Sequence, residues 1–119
     1  MKLSEIKELL EAEVLTCEEA VDSIEVENGY SSDLMSDVLA FASSGVLLIT
    51  GLTNVQIFRT AQMLDIPAIV FVRGKKPAAD LVEMAKGANM PILVTYMSMF
   101  ETSGRLYGKG LAPCIIPKR

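Results

Sequence analysis

The 119-residue sequence contains no histidine, no tryptophan and only two cysteines. Without histidine it lacks the commonest general base and the commonest metal ligand. Cys17 and Cys114 lie far apart and in no CxxC pair. They are expected as free thiols in a reducing compartment, and no metal site is expected. No apolar run approaches the length that spans a bilayer, and the opening MKLSEIKELLEAE lacks the apolar core of a signal peptide. A cytoplasmic protein with no membrane partner is expected. The phosphate-loop pattern is also missing. TGLTN (50–54) does not match it, GKG (108–110) lacks the following Ser or Thr, and VRGKKP (72–77) is no dinucleotide fingerprint. Cys114 sits among apolar residues and Cys17 precedes Glu18 and Glu19, settings that disfavour a thiolate. No catalytic residue is nominated and no cofactor is implied.

What is present is apolar and unevenly charged. Half of the residues are hydrophobic, enough for one domain to bury a core without disulfides. Residues 1–37 hold eleven carboxylates against Lys2 and Lys7, a net −9, whereas the rest carries +5. The overall −4 argues against nucleic acid as a partner. The acidic part is either a solvated face or a complement to basic loops of the same or a neighbouring subunit.

Three short runs rich in Val and Ile recur: VLLIT (46–50), AIVFV (68–72) and ILVT (92–95). Such runs read as strands buried on both faces, hence parallel and covered by helices. Between them the period is helical. Ile57, Ala61 and Leu64 share one face behind a Thr53–Gln56 capping box, and Leu81, Met84, Ala85 and Ala88 share another behind Pro77. Ser98 and Glu101 box a last helix whose Met99, Phe100, Leu106 and Tyr107 offer an apolar side. Upstream, Ser4 is expected to cap a short helix, EVLTC to form an edge strand, SIEVENGYS a second strand, and Asp33 to cap the next helix. The order predicts an α/β three-layer sandwich, with a mostly parallel central sheet of four or five strands and helices on both faces. One domain is expected over 1–110. The segment 111–119 is an apolar, proline-containing tail whose Leu111, Cys114, Ile115 and Ile116 should leave water, against the body or a second copy.

A parallel sheet brings its strand-to-helix loops to one rim, where ligands collect. That rim would gather GYSSD (29–33), TGLTN (50–54), VRGKKP (72–77) and TYMS (95–98). Ser31, Ser32, Asp33, Thr53, Asn54 and Tyr96 offer polar groups. Gly51 and Gly74 let backbone N–H groups approach, and Arg73, Lys75 and Lys76 are cationic. These residues are candidates for binding a small anion such as a nucleotide or phosphorylated metabolite. The plain alternative makes each glycine a tight turn, each Ser, Thr or Asp a helix cap, and the lysines a solvated loop tip.

These segments, in this order, resemble the DRTGG domain. MKLSEIKELLEAEVLT resembles its opening helix and strand, and SSDLMSDVLAF followed by GVLLITG its helix and central strand. DIPAIVFVRGKKPAADLVEMAKGANMPILVT is similar to its next βαβ unit and YMSMFETSGRL to its closing helix, so the likeness spans residues 2–107. The resemblance implies a regulatory module. DRTGG domains accompany CBS domains in some inorganic pyrophosphatases, occur in some phosphotransacetylases and as small stand-alone proteins, and are similar to the N-terminal, non-kinase domain of HPr kinase. Dimerisation and small-ligand sensing are the implied roles. Where many members carry Asp-Arg after the strand glycine, this chain has Gly51-Leu52-Thr53. A phosphate contact there would need Arg73, Lys75 or Lys76 from the adjacent loop. The expected function is a non-catalytic regulatory or scaffolding domain that forms a homodimer, engages a small anionic ligand, or meets a protein partner. The alternatives are a stand-alone nucleotide or phosphorylated-metabolite binding protein and, last, a small transferase.

Overall fold

A computed structural model describes residues 1–117; Lys118 and Arg119 of the apolar tail lie outside the described residues. The element order is α1 (Leu3–Leu10), β1 (Glu13–Thr16), a 3₁₀ turn (Glu18–Ala20), β2 (Asn28–Ser31), α2 (Met35–Phe41), β3 (Leu47–Thr50), α3 (Val55–Met63), β4 (Ala68–Phe71), α4 (Ala79–Gly87), β5 (Ile92–Val94), α5 (Met99–Gly108) and β6 (Ala112–Pro113). One six-stranded sheet runs β1-β5-β4-β3-β2-β6. All neighbours are parallel except β1, which is antiparallel to β5. The α/β sandwich with a mostly parallel sheet is as expected. The strand beyond the expected four or five comes from the tail, whose Ala112 and Pro113 lie beside β2.

The Val/Ile runs explain the layers. Along β3, β4 and β5 successive side chains enter opposite cores, as a period of two requires. Leu48, Ile69, Phe71, Ile92 and Val94 pack with Val38 of α2, Ile57, Phe58 and Ala61 of α3, and Leu81 and Ala85 of α4. Leu47, Ile49, Ala68, Val70, Val72 and Leu93 pack on the other face with Leu3, Ile6 and Leu10 of α1 and Leu106 of α5. Each fully buried Val, Leu, Ile or Phe among them contributes about 1.5–3 kcal/mol.

Connection handedness explains which helix lies where. From β2 to β5 the chain steps in one direction across the sheet, so crossovers of one hand place α2, α3 and α4 on a single face. From β5 to β6 it returns across the whole sheet, and α5 accordingly crosses the other face. At the edges local chemistry takes over. The register of β1 shifts between Val14 and Thr16. There the Thr16 hydroxyl donates to the Met90 carbonyl (2.7 Å) and accepts from the Ile92 N–H (3.0 Å), standing in for ladder bonds. At the opposite edge the N–H groups of Ala112 and Cys114 donate inward to the Glu27 and Gly29 carbonyls. Pro113 takes the alternate position, its ring nitrogen turned away from β2.

Several expected boundaries differ. Lys2, not Ser4, precedes the first turn of α1, where the Glu5 carboxylate accepts the Lys2 N–H. The expected strand SIEVENGYS reduces to Asn28–Ser31, plus an isolated bridge between Glu25 and Lys2. Asn54, not Thr53, caps α3, its side chain accepting from the Ile57 N–H. The residue before α2 is Leu34, and Asp33 is engaged elsewhere. On α5 only Leu106 of the expected apolar side is buried; Phe100 and Tyr107, a separate stripe two turns apart, are 89% and 69% exposed. In the tail Leu111 and Cys114 are buried, while Ile115 is 86% exposed. Both cysteines are free thiols, and Cys114 lies within 3.3 Å of the Ser43 hydroxyl and the Phe41 carbonyl.

Candidate ligand-binding site

Because β2, β3, β4 and β5 run parallel, Ser31, Thr50, Phe71 and Val94 end them at one rim. The following loops are stitched across strand boundaries. Ser32 N–H donates to the Ile49 carbonyl (3.0 Å) and Val72 N–H to that of Thr50 (3.0 Å). Arg73 N–H donates to Met97 (2.9 Å) and Gly74 N–H to Thr95 (2.8 Å). The helices after β4 and β5 leave on opposite faces, which is where an open sheet ordinarily leaves a crevice. Here those last two hydrogen bonds close it.

The closure sets the conformation of the β4 loop. Arg73 and Gly74 both adopt left-handed backbone, with φ of 60° and 65°. The Tyr96 ring lies close against the chain at Gly74: a Cβ there would come within 2.7 Å of the ring. The remainder of Tyr96 is open to solvent, the residue being 83% exposed.

At the centre of the rim stands Asp33. Its Oδ1 accepts the Gly51 N–H at 2.6 Å and its Oδ2 accepts from Arg73 Nη2 at 3.1 Å. One carboxylate thus joins the loops after β2, β3 and β4. The arginine reaches it by crossing over Gly51, where any side chain would overlap the guanidinium. Asp33 and Arg73 are each partly exposed, so the ion pair is screened and its contribution small.

The other candidate residues divide. Lys75 is exposed and forms no ion pair among the described residues, whereas Lys76 lies 3.8 Å from Glu13. Ser32 turns inward to its own loop, its hydroxyl accepting the Leu34 N–H (3.0 Å). The Thr53 carbonyl accepts the Ala78 N–H, tying the start of α3 to that of α4, and Asn54 is occupied as the α3 cap. Ser31 faces away from the rim, its hydroxyl 2.7 Å from that of Ser103 on α5. The structure therefore gathers Asp33, Gly51, Arg73, Gly74, Lys75 and Tyr96, and uses the remainder for local structure.

The family model of the DRTGG domain matches residues 5–108. The chain belongs to the DRTGG domain family. No curated protein matches the sequence. Among solved structures, this DRTGG domain is similar to the crystal structure of the CBS and DRTGG domains of the regulatory region of Clostridium perfringens pyrophosphatase, complexed with its activator, diadenosine tetraphosphate. The TM-score is 0.72 and the identity 22%, over 93% of this chain and 47% of that one. The chain spans about half the length of that structure.

The DRTGG domain has an apolar concavity away from the rim, one that the sequence does not single out. A cavity of about 340 Å³ lies between α5, β2 and the tail, lined by Ile49, Leu106, Leu111, Pro113, Phe100 and Tyr107 among others. Its polar point is the Ser31–Ser103 hydroxyl pair. The signal for it was the spacing of Phe100 and Tyr107 beside an apolar tail. Periodicity shows that the two share a stripe but not which way the stripe faces. No described helix is long and apolar enough to cross a membrane.

Proposed function

We propose that this chain is a non-catalytic regulatory or scaffolding DRTGG domain that self-associates and senses a small anionic ligand, a nucleotide or phosphorylated metabolite, at the rim of its parallel strands. The observation that carries the reading is the convergence of the loops after β2, β3 and β4 on one amide–carboxylate–guanidinium cluster. Lys75 and the open Tyr96 ring stand nearby on the same rim. Arg73 supplies, from the adjacent loop, the cation missing after Gly51. The likeness to the regulatory region of the pyrophosphatase, whose structure holds a nucleotide activator, supports a regulatory role. Self-association is supported by the apolar cavity under α5 and the exposed Phe100 and Tyr107, a surface that water disfavours and that suits an isologous dimer. The two unpaired thiols suit the cytoplasm.

Two measurements test the proposal. A ligand present at a hundred times its dissociation constant stabilises the folded state by about 2.7 kcal/mol. A panel of nucleotides and sugar phosphates is therefore expected to contain a compound that raises the melting temperature, and Lys75→Ala to blunt the rise. A flat response across the panel retires the sensing role. Sedimentation over a dilution series is expected to show a dimer; a monomer at every concentration retires self-association.

A further inference from the structure

We propose that the Gly51 amide and the Arg73 guanidinium form a phosphoryl-binding site that the free protein fills with its own Asp33 carboxylate. This rests on the rim reading above and specifies how that rim is occupied.

The two oxygens of Asp33 take one donor each, the Gly51 N–H at 2.6 Å and Arg73 Nη2 at 3.1 Å. A phosphoryl group presents the same two acceptors on one centre, with a further oxygen and more charge. The Gly51 amide and the Arg73 backbone are held by the fold, whereas the Asp33 side chain is held only by these two donors. Gly51 is buried at the end of β3. Arg73 starts from a backbone pinned by its own N–H to Met97 and by that of Gly74 to Thr95. Its guanidinium lies in the space that only a glycine at position 51 leaves free. Asp33 by contrast is an exposed side chain on the short link between β2 and α2, and it caps no helix. Swinging it outward breaks no bond between backbone groups and frees the Gly51 N–H and the Arg73 guanidinium for another acceptor. With Asp33 in place Arg73 is neutralised. With Asp33 displaced, Arg73 and Lys75, which forms no ion pair among the described residues, together match the charge of a phosphate dianion.

The experiment is a titration with inorganic phosphate, followed by amide chemical shifts. Asp33→Ala is expected to bind phosphate at least tenfold more tightly than the wild type, with the Gly51 amide moving most. Adding Arg73→Gln to that variant is expected to return affinity to the wild-type level. If Asp33→Ala does not fold, the isosteric Asp33→Asn carries the same test and must also bind more tightly than the wild type. A folded Asp33 variant that gains no affinity overturns the proposal, as does a gain that survives Arg73→Gln. Wild-type protein that ignores every nucleotide while Asp33→Ala takes up phosphate would sink the sensing role and leave this site standing. Wild-type nucleotide binding that is indifferent to Asp33 would do the reverse.

Discussion

The rim and the cavity under α5 share strands β2 and β3, yet they hold together by opposite means. At the rim three loops meet through directional contacts: a carboxylate on an amide and a guanidinium, and backbone N–H groups that cross from strand to strand. Under α5 the lining is aliphatic and aromatic, with one pair of hydroxyls. Strand β2 serves both regions. Its end leads into Asp33, while Gly29 and Ser31 line the cavity. The difference teaches where sensitivity should lie. Contacts of the first kind depend on charge and angle and are screened by water, so they select a partner while adding little to stability. Contacts of the second kind scale with area removed from water, so they hold the fold and, where left open, invite association.

The sharpest challenge to that contrast is Leu111→Ala. This residue, outside every regular element yet buried in the α5-side core, should cost about 2–5 kcal/mol in denaturant unfolding. A loss below about 1 kcal/mol would mean that the tail lies on the core without belonging to it. Gly74→Val comes next. It forces a branched side chain into left-handed backbone against the Tyr96 ring and should cost about 1–3 kcal/mol, the one rim change with a large effect on stability. A neutral result would show that the β4 loop relaxes freely.

The third concerns pH. Burial, then the charge of Asp37, then Cys114 raise the pKa of Tyr30 above its ordinary value near 10. The folded state thus favours the neutral phenol more than the unfolded chain does. Its contribution is intact below pH 10 and is lost as pH rises through the raised folded value. Tyr30→Phe should flatten the alkaline fall in stability, read from melting temperatures across that range, while an unchanged slope would assign the fall to other groups. The smallest effect on the monomer is expected from Phe100→Glu, within about 0.5 kcal/mol because the ring is solvent-exposed. The same change should weaken self-association at least tenfold in sedimentation. Dimerisation that survives it would move the interface off α5.

Much of this arrangement was legible in the residues. Runs such as residues 47–49 and Ala68–Phe71 are apolar at every position, as a short strand covered on both faces requires. Parallel direction then predicted that residues near 31, 51, 74 and 96 would share a rim; of the first loop it is Asp33 that reaches it, while Ser31 turns to Ser103. What could not be read was which partner each polar side chain would choose. Asp33 and Thr53 are good helix caps by local propensity. The Gly51 amide and Arg73 drew Asp33 away, and Asn54, one residue later, took the cap of α3. Strand β6 was hidden for a similar reason. Two residues carry no periodicity, and their pairing depends on β2, far back along the chain.

Pro113 deserves a last consequence. An outermost strand with a free amide can template another chain, and repeated addition builds fibres. The exposed isoleucines that follow would make such growth attractive. A ring nitrogen without hydrogen denies the incoming strand a donor at the first outward-facing position. The edge of the sheet is thereby a poorer template for strand addition than the apolar surface under α5 is for side-chain contact.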